Sequence, residues 1–461
     1  MTINLLYRIF GVMKMQLFEP LRLKFEQANW ARNPEFGLMD TILEKHPELF
    51  VHLQKDIVEG NKVSEFGRKD IPSVEQIVRA AIYKELKQLE YRELEFDQID
   101  SRICELFLKI DHGRVYSFQL YQKYISKIKA ENLQKLLVDL NKIAISEGLE
   151  DVEKIRMDST NVESNIHYPT NNSLVWDCIK ESHRLLKQLH EEVSKLSYRD
   201  YTTAAKKSFF KINVTKGADK RTALFQKQLI TFTKCINQLS NVIKKKQGCS
   251  PEALLIIKAM ELHLPIMEQV YSMTERREIN KEKVPNDEKI FSIYEQHTDI
   301  LVKGSRVVQF GHKVNLTTGK SNLVLSCEVL RGNPADTSLY KKTIDKIKAD
   351  YQVTPRDCAT DGGYASIDNL EHAQKNGITN IVFNKIVGSL KNVASSLSME
   401  TRLKKWRSGI EANISNIKRG FGLFRCTWKG QTHFDAKVLW SVIGYNIRVM
   451  TSAVLSQFKV A

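Results

Sequence analysis

The hydrophobic periodicity changes along the chain, and these changes limit the possible folds more than any other feature. Residues 19–147 carry apolar side chains at a spacing of three and four, which is typical of amphipathic helices. Residues 151–160 follow the short period of a strand and contain Asp158. Helical periodicity then returns over residues 174–273. This pattern predicts helical regions combined with a sheet.

After residue 285 the pattern predicts strands again. The predicted elements are strands at Val307–Phe310, Lys313–Leu316 and Leu323–Leu330, a helix at Asp336–Tyr351, a strand at Asp357–Thr360, a helix at Ser366–Asn376, a strand at Ile378–Phe383, and helices at Glu400–Lys418 and Phe434–Leu455. Such an order favours an α/β fold with a mixed sheet covered by helices. We therefore predict an uncertain N-terminal extension at 1–18, a helical domain at 19–148, and a sheet domain at 149–461 with a helical insertion at about 174–285.

The charge balance indicates an acidic partner. The 461 residues include 70 Lys and Arg against 54 Asp and Glu, a formal net charge of +16. Nucleic acid is the first partner to consider, before an anionic membrane, and a solvated basic surface is the plain alternative. Residues 206–246 hold eleven Lys and Arg and the single acid Asp219. This block is interpreted either as a DNA-binding helical layer or as an ordinary helical hairpin. Its candidate DNA contacts are Lys206, Lys207, Lys244 and Lys245.

The cysteine pattern and the length of the apolar runs indicate a compartment. Seven scattered cysteines without a CxxC pair argue against a disulfide framework and a zinc site, and favour a reducing cytoplasm. No run of eighteen apolar residues is present in the sequence, so we expect no membrane-spanning helix. The expected location is the cytoplasm.

Two aspartates, Asp158 and Asp361, each come at the end of a predicted strand. Ligand and catalytic sites of open α/β sheets gather beyond strand ends. Gly362 and Gly363 follow the second acid and let the backbone turn sharply beside it. A single Asp at such a place is more often a helix cap or a turn residue. Asp158 and Asp361 therefore indicate a catalytic site only if a third functional side chain accompanies them.

A third acid, Glu411, lies in the predicted helix 400–418 between Arg407 and Lys418. At about 100° per residue, Glu411 lies roughly 40° and Lys418 roughly 20° round from Arg407, so all three share one face. The ordinary interpretation is a row of surface ion pairs. However, eight cations surround only Glu400 and Glu411, and this excess indicates another anion, such as a phosphodiester. The eight are Arg402, Lys404, Lys405, Arg407, Lys418, Arg419, Arg425 and Lys429.

Three carboxylates with basic surroundings describe a site for a hard cation and phosphoryl transfer. Mg²⁺ prefers carboxylate oxygens and leaves its remaining positions to water and substrate oxygens. Two ions about 4 Å apart activate the attacking oxygen and stabilise the leaving oxygen. The sequence therefore predicts metal-dependent chemistry on a phosphodiester at Asp158, Asp361 and Glu411.

The three acids lie in segments that resemble the DDE (Asp-Asp-Glu) transposases of bacterial insertion sequences. Met157–Glu163 with Ile166–Thr170 is similar to the first-Asp segment of that family, and Ala359–Ser366 is similar to the second. The segments similar to the third are Trp406–Glu411, Lys418–Leu423 and Arg425–Gly430. Tyr91–Leu94 resembles the domain that precedes the catalytic core and binds the element ends. The subgroup with the greatest resemblance is the ISNCY type.

The resemblance implies an RNase H-like catalytic core and a transposase mechanism. Asp158, Asp361 and Glu411 would hold two Mg²⁺ (or Mn²⁺) ions for cleavage and joining of DNA. The family signature is Tyr, two residues, Arg, three residues, Glu, six residues, Lys. This signature is matched by Arg407, Glu411 and Lys418. Its Tyr position is occupied by Lys404, so the contact that this tyrosine would make to a DNA base is in doubt.

The same resemblance names the expected partners. They are double-stranded DNA, as terminal inverted repeats and target, and a second copy of the chain in a homodimer near the nucleoid. The residues expected to contact this DNA beside the acids are Arg407, Lys418, Arg419, Lys404 and Arg425. Two alternatives stay open: an inactive DNA-binding protein descended from a transposase, and a metal-dependent endonuclease that does not join strands.

Overall fold

The computed structural model describes residues 13–18, 21–25, 30, 32–58, 71–193, 196–245, 250–303, 307–386 and 388–460. Of the predicted extension 1–18, only 13–18 lie among these residues. Before the sheet region the described residues form a β-hairpin and seven α-helices: β1 Met13–Phe18, β2 Leu21–Phe25, α1 Pro34–Lys45, α2 Val51–Val58, α3 Val74–Lys87, α4 Tyr91–Asp100, α5 Arg102–Phe107, α6 Phe118–Ile125 and α7 Ala130–Ser146. The predicted helical N-terminal region is thus confirmed from residue 34 onward.

The sheet region begins with one strand and then contains four long helices before the other strands. Its elements are β3 Lys154–Ser164, α8 Asn171–Glu192, α9 Thr202–Val214, α10 Ala218–Lys245, α11 Pro251–Thr274, β4 Asp299–Lys303, β5 Val307–Thr318, β6 Val324–Val329, α12 Tyr340–Tyr351, β7 Asp357–Asp361, α13 Ile367–Lys375, β8 Asn380–Asn384, α14 Leu397–Arg407, α15 Gly409–Gly420, β9 Arg425–Cys426 and α16 Gln431–Val460. The predicted α/β class with a mixed sheet is confirmed, and the architecture is consistent with an RNase H-like core.

Seven of the described strands form one mixed sheet. Its order is β4-β5-β3-β7-β8, while β6 pairs with β5 and β9 pairs with β3. β3 lies antiparallel to β5 over Arg156–Glu163 and parallel to β7 over Lys154–Met157. The prediction that the first strand ends at Asp158 is wrong, because β5 continues to pair with β3 well beyond that residue. Asp158 therefore lies in the strand interior.

The described residues divide into two compact units. One lies within Met1–Ser164 and Gly311–Ala461, and the other lies within Asn165–Phe310. In the first unit, α1–α7 share a hydrophobic core with β5, β6 and α16, which buries Trp440 completely. In the second unit, α8–α11 surround a core of their own. The domain limits predicted from the sequence stay predictions, since the N-terminal helices and the sheet share one core.

Two predicted strands are a single strand in the structure. Val307–Phe310 and Lys313–Leu316 were predicted separately, but β5 runs through both. Gly311 breaks the apolar pattern because a side chain does not fit there. A Cβ atom at this position would lie 2.7 Å from the Cα atom of Glu163 on β3.

The helix predicted at Glu400–Lys418 is two helices, α14 and α15. They meet at Ser408 and Gly409, a pair of residue types at which helices commonly kink. Arg407 and Glu411 therefore lie on different helices, and the angles expected for one continuous helix do not apply.

The last helix, α16, is the one described element that bears on the expectation about membranes. Within α16, Gln431–Gln457 is long and apolar enough to cross a membrane by length and composition alone. However, 72% of its most apolar window is buried inside the protein, and the core helix of a folded domain passes the same test. The residues around Trp440 pack into the core of the first unit.

Candidate active site

The register of the sheet places two of the predicted acids side by side. β3 and β7 run parallel and pair up to Met157 and Thr360, and the next residues along the two strands are Asp158 and Asp361. Neighbouring strands are separated by roughly 4.8 Å. The two carboxylates consequently start from adjacent backbone positions, although they are 203 positions apart in the sequence.

The turn after Asp361 is held by close contacts. A Cβ atom at Gly362 would lie 2.5 Å from the carbonyl oxygen of Lys385, so glycine alone fits there. Tyr364 is completely buried, and its hydroxyl donates a hydrogen bond to Oδ1 of Asn315 on β5 at 2.7 Å. These contacts hold the loop that follows Asp361 against the sheet.

Arg407, the last residue of α14, joins all three predicted acids through one guanidinium group. Its Nη2 lies 2.7 Å from Oδ2 of Asp158 and 3.8 Å from Oδ1 of Asp361. Its Nη1 lies 3.0 Å from Oε1 of Glu411. The exposed fraction of the side chain is 7% for Arg407 and 18% for Asp158, but 65% for Glu411. The cluster thus has a buried cation and opens to solvent at Glu411.

The electrostatics of the cluster depend on this guanidinium. Burial raises the pKa of Asp158, and the charges of Asp361 and Asp336 add to the rise, while Arg407 and the backbone N–H of Ser159 oppose it. The Nε of Arg407 is buried and makes no hydrogen bond among the described residues. Arg407 therefore compensates several negative charges and keeps one donor unused.

The arrangement differs from a preformed metal site. Among the described residues, no group of three or more His, Cys, Asp or Glu side chains is placed closely enough to hold a metal ion. The three acids converge on Arg407 instead. Their carboxylate oxygens are nevertheless the donors that Mg²⁺ prefers. A metal ion at these oxygens would have to displace part of the contacts that Arg407 makes.

A fourth acid, Asp336, lies beside the cluster and was not predicted as a site residue. Its Oδ1 lies 2.7 Å from Nζ of Lys313 on β5, and its Oδ2 would lie 3.0 Å from a Cβ atom at Gly363. It also contributes to the raised pKa of Asp158. Sequence reasoning assigned Asp336 only to a helix start, since an acid before an apolar run is ordinary there.

Besides Arg407, two more of the cations predicted to contact DNA near the acids have acidic partners. The Nζ of Lys404 lies 2.6 Å from Oε1 of Glu400, one turn earlier on α14. The Nη2 of Arg425 lies 2.8 Å from Oε2 of Glu163 on β3. Both ion pairs are at least partly exposed, so they contribute at most about 1 kcal/mol each and leave these side chains able to exchange partners.

The other two cations lie at the end of α15. The ammonium group of Lys418 lies 5.7 Å from the centroid of the Phe424 ring. Arg419 is exposed and lines a cavity of about 940 Å³ between α15 and α16. The predicted basic surface near Glu411 is therefore present, but its members face different neighbours.

The four lysines predicted in the helical insertion lie in the second unit and are exposed. Lys206 and Lys207 lie on α9, and Lys244 and Lys245 end α10. The first two line a cavity of about 620 Å³ together with Trp176 and Phe210. Phe232 and Leu239 of α10 are buried, whereas its cations Lys244 and Lys245 are exposed, which agrees both with a DNA-binding layer and with an ordinary helical hairpin.

Comparison with known protein families gives a match over the part of the chain that contains Asp361, Arg407 and Glu411. Residues 302–447 match the family model of the transposase DDE domain. The match includes Asp361, Arg407 and Glu411, whereas Asp158 lies before it, on the other side of the helical insertion. It supports a DDE transposase. Comparison with curated proteins and with solved structures gives no significant match.

Proposed function

We propose that this protein is a transposase of a bacterial insertion sequence, of the ISNCY type, that cleaves DNA at the element ends and joins it to target DNA. The observation that carries the proposal is the convergence of Asp158, Asp361 and Glu411 on Arg407, with the first two on adjacent parallel strands. The family match over 302–447 supports the same assignment.

Asp158, Asp361 and Glu411 are the residues that would hold the divalent metal, two Mg²⁺ or Mn²⁺ ions. Bound there, the ions would activate the attacking oxygen and stabilise the leaving oxygen of a phosphodiester. The raised pKa of Asp158 and the exposure of Glu411 suit a site that exchanges one cation, the guanidinium, for others. Once released from the acids, the guanidinium of Arg407 would be available to phosphate oxygens.

The remaining residues of the site would bind and orient the DNA. Arg407 and Lys418 would hold backbone phosphates near the scissile bond and stabilise charge there, without carrying protons. Further phosphate contacts are assigned to Arg419, Lys404, Arg425, Lys206, Lys207, Lys244 and Lys245. The helices of 19–148 would recognise the terminal repeats, and a homodimer in the bacterial cytoplasm, at the nucleoid, would bring two ends together.

The test uses purified protein and DNA taken from both flanks of its gene. With Mg²⁺, the protein is expected to cut at short inverted repeats and to join the freed 3′-hydroxyl ends to a target plasmid, and without a divalent metal it should do neither. Cutting without joining would identify a nuclease. Binding of the repeats without cutting would identify an inactive DNA-binding descendant.

A further inference from the structure

Arg156 lies on β3 two residues before Asp158, and the mechanism described so far does not use it. Alternate residues of a strand point to the same face, so both side chains leave β3 on the side of α14 and α15. Arg156 is only 2% exposed. Its guanidinium stacks on the ring of Trp406, 4.6 Å from the ring centroid. Trp406 directly precedes Arg407 in the chain.

The hydrogen bonds of Arg156 join three elements. Its Nη1 donates to the carbonyl oxygen of Trp406 at 2.6 Å, its Nη2 donates to Oδ1 of Asn322 at 2.6 Å, and its Nε donates to Oγ1 of Thr318 at 3.0 Å. All three acceptors are uncharged. Burying a charge without an acidic partner is costly. Because three nitrogens of the planar guanidinium each donate a hydrogen bond here, the directions of these bonds explain why arginine occupies this position.

The contact to Trp406 lies at the break between α14 and α15. Gly409 opens α15 directly against the guanidinium, since a Cβ atom there would collide with Nη1 of Arg156. Arg407 and Glu411 lie on the two sides of this break. The strand that carries Asp158 is thereby tied to the two helices that carry the rest of the cluster.

We propose that Arg156 is a positioning residue that sets where Arg407 and Glu411 stand relative to Asp158, and so sets the affinity of the acid cluster for divalent metal. The proposal rests on the proposed function. Arg156 itself touches neither the acids nor a substrate. It acts through the Trp406 carbonyl and the start of α15. Groups that orient metal ligands in this indirect way are worth about 10–100-fold in metal affinity.

The experiment compares Arg156→Lys with the wild-type protein. Lysine keeps the charge but loses the fork, so we expect the Kd for Mn²⁺, titrated into DNA-free protein, to rise about tenfold. The Mg²⁺ concentration for half-maximal cleavage should rise in parallel, with end binding within about threefold. Lys154→Met is the matched control, because Lys154 stacks on the same Trp406 ring, 4.3 Å from its centroid, without bonding the carbonyl. It should leave the Mn²⁺ affinity unchanged.

A second variant protects the test against misfolding. Thr318→Val is close to isosteric and removes only the acceptor of Nε, so a smaller rise in the Kd for Mn²⁺, about threefold, is expected. Arg156→Lys or Thr318→Val protein that melts at a lower temperature but binds Mn²⁺ as tightly as wild type would overturn the proposal. A wild-type protein that binds Mn²⁺ but never cleaves DNA would instead refute the transposase function. The Kd values for Mn²⁺ would then still decide whether Arg156 positions the acid cluster.

Discussion

The Nη2 of Arg407 lies 2.7 Å from Oδ2 of Asp158, and this ion pair joins the end of α14 to the interior of β3. The two residues are 249 positions apart in the sequence. The pair is largely buried, with 7% and 18% of the side chains exposed, so each partner depends on the other for charge compensation. Any change at either residue should therefore alter both the stability and the chemistry of the cluster.

Removing any one of the three acids should abolish DNA cleavage while DNA binding persists. Asp158→Asn, Asp361→Asn and Glu411→Gln are each expected to lower Mg²⁺-dependent cleavage by about a thousandfold or more, because a metal ligand supplies several kcal/mol. Binding to the element ends should stay within about threefold, since phosphate contacts dominate it. A gel-based cleavage assay with parallel band shifts measures both. Retained cleavage in one variant would remove that acid from the site.

Replacing Arg407 should make the stability of the protein depend on divalent metal. In Arg407→Met the carboxylates lose their shared cation, so unfolding should become easier by about 3 kcal/mol without metal. Added Mg²⁺ takes over the missing charge, so it should raise the melting temperature of the variant more than that of wild type. Arg402→Met, on the exposed part of the same helix, is the control. Equal metal-induced shifts in Arg407→Met and wild type would show that Arg407 does not occupy the metal position.

Gly362→Ala should damage both the fold and the site. The added Cβ atom would lie 2.5 Å from the Lys385 carbonyl oxygen, so the loop after Asp361 must shift, at a cost of about 1–3 kcal/mol. The control is Gly420→Ala at the end of α15, where an added Cβ would meet no atom within 4 Å. Urea denaturation and cleavage rates of both variants test this. A Gly362→Ala protein as stable and active as the control would contradict the close packing described.

The buried contact between Glu85 and Lys437, which joins α3 to α16, should make stability depend on pH. Burial alone would raise the pKa of Glu85, but the ammonium groups of Lys437 and Lys84 outweigh it, and the pKa lies below its ordinary value. A lowered pKa in the folded state stabilises the protein above the pKa of the unfolded chain, about 4.3, and this stabilisation is lost as the pH falls further.

Glu85→Gln should therefore cost about 3 kcal/mol at pH 7, because it leaves Lys437 buried without its acid. The difference from wild type should shrink below pH 4. Urea denaturation at both pH values measures this, with the exposed Glu131→Gln as a control expected within about 0.5 kcal/mol. A constant difference at all pH values would argue against the coupling of Glu85 to these lysines.

The basic layer of the insertion should contribute to DNA binding through phosphate contacts. The double variant Lys206→Ala/Lys207→Ala should bind DNA about tenfold more weakly at moderate salt. The slope of log K against log salt, which is negative, should become smaller in magnitude by about two. Lys258→Ala on α11 removes an exposed lysine outside the basic block and should have no such effect. Fluorescence anisotropy over a range of salt concentrations measures the slopes. An unchanged slope would leave these lysines as ordinary surface residues.

Much of the fold could be predicted because its elements carry strong local signals. Ser73 caps α3 by accepting a hydrogen bond from the N–H of Gln76 at 3.1 Å, a contact between residues only three positions apart. The strand at Asp357–Asp361 and the helix after Ser366 also follow from periodicity and capping. The predictions that failed concern interruptions. The break at Ser408 and Gly409 lies beside Arg156 of β3, whose Nη1 donates to the Trp406 carbonyl oxygen, and no local pattern predicts a contact between residues so far apart in the chain.

The sequence alone determined the helix and strand types, the basic surplus and the identity of three acids at suggestive positions, because these depend on residue type and short spacing. Tertiary structure decided which groups meet. Strand register brings Asp158 beside Asp361, close packing at Gly362 holds the loop, and one guanidinium gathers the three acids. Asp336, predicted only as a helix start, also lies close enough to raise the pKa of Asp158. These relations depend on pairing between residues far apart in the chain, and local periodicity carries no information about distant partners.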